Sequence, residues 1–266
     1  MQSGKKLKKT VSRFAALLLL FAMLCMGVSC SPASDVITDK ITSGRGDITN
    51  VTTAPPGPKT EPEDSEMPVG IDFKSADEEQ IGKIWSVKNE DNSKWKLEKN
   101  KGLVITSIRG ELFQTDNDCK NIFLQDGKSN WIAETKMTLS ETVNANYQQA
   151  GLIVYADDDN YVKLVCSFDG EPAVQFAYEK DAAFTSSAIV SVEMREIWLR
   201  IRKEGNIYTA FYTIEGPDSG FQELGSCEVL LDDPKTGFTA FNGFTNAPSV
   251  DFTFEYVRYM DVGTPP

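Results

Sequence analysis

Asn146-Tyr147-Gln148-Gln149-Ala150-Gly151-Leu152-Ile153-Val154-Tyr155-Ala156-Asp157-Asp158-Asp159-Asn160-Tyr161-Val162-Lys163-Leu164 reads as two β-strands joined by an acidic turn. In the first strand, 150–155, Ala150, Leu152 and Val154 form an apolar set at a spacing of two. In the second, 161–168, Val162, Leu164, Cys166 and Phe168 do the same. Successive side chains of a strand point to opposite faces, so both sets face a core. Gln149, Gly151 and Tyr155, then Tyr161 and Lys163, fall on the other face. Between the strands, the Asp157-to-Asn160 run supplies side chains that bond their own backbone and so start a turn.

The same pattern extends in both directions. Short runs at 102–108, 131–139, 173–178, 189–193, 197–202, 207–214, 237–241 and 250–259 read as strands. Asp126-Gly127, Asp169-Gly170, Gly205-Asn206 and Gly216-Pro217-Asp218 punctuate them. No segment keeps a 3.6-residue period for three turns, and no internal repeat is visible. Residues 71–262 therefore predict one all-β domain, a sandwich of two antiparallel sheets, followed by a short tail at 263–266.

The quoted stretch resembles the core signature of the concanavalin A-like C-terminal domain of glycoside hydrolase family 43 β-xylosidases and arabinosidases. Trp95-Lys96-Leu97-Glu98, Gly102-Leu103-Val104-Ile105, Asn121-Ile122-Phe123-Leu124-Gln125 and Glu134-Thr135-Lys136 fit it in order. So does Trp198-Leu199-Arg200-Ile201-Arg202, followed by Gly205 and Tyr208. The resemblance covers roughly 72–262. It implies a concanavalin A-like jelly roll with one concave face and a carbohydrate context. In those hydrolases the catalytic groups sit on a five-bladed propeller ahead of this domain. Here the residues ahead read as a linker and an anchor, so the resemblance implies no catalytic residues.

Composition points the same way. The chain of 266 residues has no histidine, which excludes Ser-His-Asp triads, Cys-His dyads and histidine zinc sites. With 27 Lys+Arg against 39 Asp+Glu it lacks the basic surface that nucleic acid requires. A hydrophobic content of 41% with 25% charged residues is that of a globular protein. Catalytic jelly rolls of the family 16 glucanases line up Glu-x-Asp-x-Glu on one strand, and this chain has no such run. Glu134 stands alone on its strand and Glu193 lies at a strand end, so a cryptic glycoside hydrolase is a minor alternative. Asp157, Asp158 and Asp159 supply the oxygen ligands a structural calcium ion takes, or simply a turn; no other cofactor is expected.

Residues 1–29 read as a signal peptide. Lys5, Lys6, Lys8, Lys9 and Arg13 precede an apolar run at 14–26 that is short for a bilayer span. Gly27-Val28-Ser29-Cys30 resembles a bacterial lipobox, which implies a lipid on Cys30 and attachment to the cell membrane; a plain secretory signal is the alternative. Removing 1–29 leaves 22 basic against 39 acidic residues, a charge of −17. An anionic leaflet repels such a chain, so the lipid must hold it there. Residues 31–70, rich in Pro, Thr, Ser and Asp, predict a disordered linker with a reach on the order of 35 Å. Arg45-Gly46-Asp47 within it is an integrin-type tripeptide of the kind that arises by chance. Cys119, Cys166 and Cys227 remain in the mature domain, an odd number beside apolar runs, which favours buried free thiols over a disulfide.

Strand parity also proposes a binding face. In 197–202, Leu199 and Ile201 point inward, leaving Trp198, Arg200 and Arg202 outward. The Gly205-Asn206 turn brings Thr209 and Phe211 to the same side. Together with Tyr155, Lys163 and Gln149 these form an expected outward surface of aromatic and basic groups, suited to sugar rings and hydroxyls. A competing expectation pairs Arg200 with a cross-strand acid and packs Trp198 under a loop or against the linker; Trp85 and Trp95, near the first strand, are expected in the core. The function expected is a surface-anchored, monomeric, non-catalytic lipoprotein recognising xylan- or arabinan-like polysaccharide. The alternative is a structural or protein-interaction sandwich that binds no glycan.

Overall fold

A computed structural model describes residues 67–128, 130–244 and 246–262. The signal peptide, Cys30, the linker as far as 66 and the tail lie outside the described residues. The chain enters through β1 (Ile71–Asp72), helix α1 (Glu78–Ile84), β2 (Ser86–Lys88), β3 (Trp95–Glu98) and β4 (Gly102–Thr106). A small hairpin, β5 (Leu112–Phe113) and β6 (Asp116–Asn117), precedes β7 (Ile122–Asp126) and β8 (Trp131–Leu139). Then come β9 (Gln149–Asp157), β10 (Asn160–Phe168), β11 (Pro172–Lys180), β12 (Ala183–Ser191), β13 (Glu196–Glu204) and β14 (Ile207–Thr213). The last three strands are β15 (Gln222–Glu228), β16 (Lys235–Phe241) and β17 (Asp251–Asp261).

These strands make the two-sheet antiparallel sandwich that the sequence predicts. One sheet runs β15-β14-β13-β8-β17-β4-β3, with β1 added beside β17. The other runs β12-β11-β10-β9-β16-β7-β2. Between them Ala150, Leu152, Val154, Val162, Leu164 and Cys166 of the second sheet meet Ile197, Leu199, Ile201 and Ala210 of the first. An aromatic group closes one end of this core: Phe123 stacks on Phe238 at 4.9 Å, and Phe254 and Trp85 pack on Phe238 at 4.8 and 5.0 Å. Burying each such ring stabilises the fold by about 1.5–3 kcal/mol. Gly237 permits the approach of β16 to β7, because a Cβ there would lie 1.7 Å from the Phe123 carbonyl oxygen.

Several elements had no clear signal, among them the helix and two edge strands. Helix α1 is a two-turn segment, too short for the periodicity sought, though Asp77 and Gln80 form a capping box at its start. The edge strand β12 covers 183–191 rather than the expected 189–193; only Phe184, Ala188 and Val190 along it are half-buried, so its apolar alternation is weak. Strand β15, at the edge of the other sheet, likewise buries only part of Leu224 and Cys227 and shows no regular alternation. The thiols of Cys119, Cys166 and Cys227 are all free; Cys227 is half-buried rather than buried.

One expectation about the surface is overturned. Tyr155, Lys163 and Gln149 lie in the β9–β10 pair of one sheet. Trp198, Arg200, Arg202 and Phe211 lie in the β13–β14 pair of the other. Each group does point away from the core, but the outward faces of the two layers look in opposite directions. Parity fixes which face of its own sheet a residue occupies, and says nothing of which sheet the strand joins.

Candidate functional site

The outward face of the β13–β14 sheet is tied up by its own partners. Arg200 sits directly across from Glu134 of β8, and its Nη2 donates to Glu134 Oε2 at 2.7 Å. The Tyr256 hydroxyl donates to the other oxygen of Glu134 at 2.7 Å, and the Arg200 guanidinium lies 3.8 Å over the Phe221 ring. Trp198 is only 9% exposed, with the Lys136 ammonium 4.9 Å from its ring and the Gly216 turn against its edge. Arg202 pairs with Glu204 at 2.7 Å. Across the Gly205-Asn206 turn, Arg200 and Arg202 stand opposite Phe211 and Thr209 as expected. The carboxylate partner accounts for Arg200, however, and leaves little to offer a ligand.

The outward face of the other sheet is built differently. The connection from β4 to β7 folds back over it, carrying the β5–β6 hairpin. A second apolar cluster forms beneath, from Leu112, Cys119, Ile122, Leu124, Ile153, Tyr155, Tyr161 and Phe241. Tyr155 is thereby buried, its hydroxyl donating to Asp158 Oδ1 at 2.8 Å. Asp158 also accepts from Lys88 at 2.9 Å, while Asp157 Oδ1 accepts from the Asp159 N–H at 2.9 Å and from Asn160 Nδ2 at 2.8 Å. The three aspartates thus serve separate local bonds. Among the described residues no three metal-ligating His, Cys, Asp or Glu side chains converge.

The hairpin is pinned by a buried acid. Glu179 of β11 accepts the Gln114 N–H at 3.0 Å on both oxygens, and its Oε2 lies 3.1 Å from the Tyr161 hydroxyl. Cys119, behind the hairpin, has its thiol pushed up to about 12 by burial, so it is inert.

Beside this covered half a cavity of ≈ 190 Å³ remains. Its floor is the sheet itself: Lys163 and Ser167 of β10, Gln149 of β9 and Gln175 of β11. Its walls are Glu111 and Phe113 from the folded-back connection, Phe184 of β12, and Tyr147 and Phe244 from loops. Lys163 is 4% exposed. Its ammonium donates to Gln149 Oε1 at 2.9 Å and lies 5.4 Å from the Phe184 ring, 5.7 Å from Tyr161 and 5.8 Å from Phe241. Burial pushes the Lys163 ammonium down, against the pull of Glu111 and Glu179. Burial likewise raises Glu111 above the usual carboxylate range, opposed by Lys163.

Two details set this cavity apart from ordinary packing. The Ser167 hydroxyl is buried at its floor with no hydrogen-bond partner among the described residues, a cost of about 1–3 kcal/mol. At the mouth, Tyr147 (46% exposed) and Phe244 (41% exposed) meet edge to face at 6.3 Å. Tyr147 holds a left-handed backbone with φ 72°, unfavourable for an aromatic residue. Gly243, with φ 61°, lets its loop close on this wall, since a Cβ there would lie 2.3 Å from Tyr147 Cβ and 2.7 Å from Glu111 Oε2.

Of the expected binding residues, Lys163 and Gln149 line this cavity and the others do not. Ser167 shares the parity of Lys163 on β10 and was legible from the strand alone. Glu111 and Phe244 arrive on loops and Phe113 on the two-residue strand β5, and no alternation marks them.

Comparison with known proteins bears on this architecture. A family model described as the β-xylosidase C-terminal concanavalin A-like domain matches residues 72–247. Among solved structures, a family 43 protein, BlXynB from Bacillus licheniformis, superposes with a TM-score of 0.61 at 18% identity, over 72% of this chain and 39% of that one. A xylan β-1,4-xylosidase from Bacillus halodurans gives 0.56 at 17% identity, over 79% of this chain and 42% of that one. This chain therefore spans about two-fifths of those enzymes' length. A functionally unknown protein from Saccharomyces cerevisiae gives 0.55 at 16% identity, over 66% of this chain and 95% of that one. No curated protein matches the chain. With two-thirds of its length inside the family model, the chain belongs to the β-xylosidase C-terminal concanavalin A-like domains.

Proposed function

We propose that this protein is a non-catalytic saccharide-binding lipoprotein of a bacterial cell surface, and that the saccharide enters the cavity over the β9–β10 strands. The observation that carries this reading is the Ser167 hydroxyl, buried without a partner on a floor shared with Lys163 and Gln149. Sugar recognition needs donors and acceptors at depth and apolar ring faces around them. Lys163, Gln149, Gln175 and Glu111 supply the first, Phe113, Phe184, Tyr147 and Phe244 the second. The family context, with xylan-cleaving enzymes among its structural relatives, favours xylan- or arabinan-type ligands. The lipobox-like Gly27-Val28-Ser29-Cys30 supports an anchor on Cys30, and the linker after it gives reach toward a polysaccharide.

Affinity electrophoresis in gels containing soluble arabinoxylan tests the binding. Wild type should be retarded, and Ser167→Val and the Tyr147→Ala/Phe244→Ala pair should lose most of the retardation. Retardation unchanged in both variants would place binding elsewhere. Palmitate labelling that persists in Cys30→Ser would sink the anchor.

A further inference from the structure

We infer that the cavity takes a single uncharged sugar residue at the end of a chain or branch, and does not track a chain interior. This rests on the saccharide-binding reading above and narrows it. The first argument is size. At ≈ 190 Å³ the cavity is smaller than the roughly 300–1,000 Å³ of pockets that enclose drug-sized ligands. A polysaccharide interior needs an open groove with two exits. Here one end is shut, because Phe113 of the β5–β6 hairpin and Phe184 of the edge strand β12 meet at 5.1 Å. The hairpin is not free to swing aside, since Glu179 holds the Gln114 N–H on both oxygens. The exposed Tyr147 and Phe244 mark the way out, where a second residue would leave the pocket.

The second argument is charge. Lys163 alone would invite a sugar carboxylate, but its ammonium is answered from both sides. Glu111 lines the same cavity, and Glu179 lies buried behind Tyr161. Asp169 adds a further acid at the cavity wall. A uronic acid would bring another carboxylate against these acids. A neutral sugar needs only hydroxyls, which can accept from Lys163, donate to Glu111 and bond Ser167 in either sense.

Calorimetric titration of the full chain with xylobiose, arabinobiose, xylohexaose, arabinohexaose and xylobiose carrying a terminal glucuronic acid tests this. Affinity for the preferred series should rise by no more than about threefold from dimer to hexamer, under 1 kcal/mol. The glucuronic-acid-capped dimer should bind at least about tenfold more weakly than plain xylobiose. A rise of more than about tenfold with length, or a preference for the acidic cap, overturns the inference and leaves saccharide binding standing. If no saccharide binds, the inference falls together with the reading it rests on.

Discussion

Lys163 and Glu111 concentrate the energetics of the site. Each is almost wholly buried, and each is destabilised in its charged form by that burial while steadied by the other's charge. For Glu111 the folded-state proton affinity is raised above the ordinary carboxylate value. Its contribution to stability is therefore complete below that ordinary value and is lost as pH rises through the raised one. Glu111→Gln abolishes that loss. We expect the difference in Tm, variant minus wild type, to grow as pH goes from about 4 to about 7. A flat difference across that range, in melts followed by circular dichroism, would mean that Glu111 titrates normally. Lys163 was legible from strand parity, because it stands in a long alternating run; Glu111 was not, because it sits in a connection.

Element by element, the long central strands were written plainly in the sequence and the edge strands were not. β8, β13 and β17 alternate because one face packs into a core, while β9 and β10 are buried on both faces because the connection from β4 to β7 covers the second one. β12 and β15 are edge strands that set only a few half-buried side chains on the core, so their alternation is weak. The β13–β14 hairpin shows how far pairing can be read: Gly205-Asn206 sets the register that puts Arg200 opposite Phe211. What the turn could not show was Glu134 on the neighbouring β8, placed across from Arg200 by a long-range pairing. This pair is structural. Arg200→Met should cost about 1.5–3 kcal/mol in chemical denaturation, because it removes the charged hydrogen bonds made to the nearly buried Glu134. The same variant should keep wild-type retardation in arabinoxylan gels. Loss of retardation at unchanged stability would instead restore the Arg200 face as the binding surface.

At the scale of the whole molecule, alternation predicted a sandwich but not the sheet to which each strand belongs. That assignment follows from which strands hydrogen-bond across the fold, and it separates two candidate surfaces onto opposite sides. One side is a lattice of ion pairs and of cations over aromatic rings that engages Arg200, Lys136 and Trp198 and leaves the Arg202 Nε without a partner among the described residues. The other is roofed by the connection from β4 to β7, which leaves the cavity at the roof's margin. The roof depends on contacts far apart in sequence, such as Gln114 with Glu179 and Gly110 with Gly243. The absence of histidine, which removes so much chemistry from this chain, leaves hydroxyl, amide, ammonium and carboxylate groups for the proposed recognition. Chemical-shift mapping of the isotope-labelled chain with xylobiose or arabinobiose tests directly where that recognition happens. The shifts should cluster on the amides of Tyr147, Gln149, Lys163, Ser167, Phe184 and Phe244, with those of Trp198, Arg200, Phe211 and Phe221 unmoved. Shifts confined to the second group, or none with any saccharide, would contradict the cavity as the binding site.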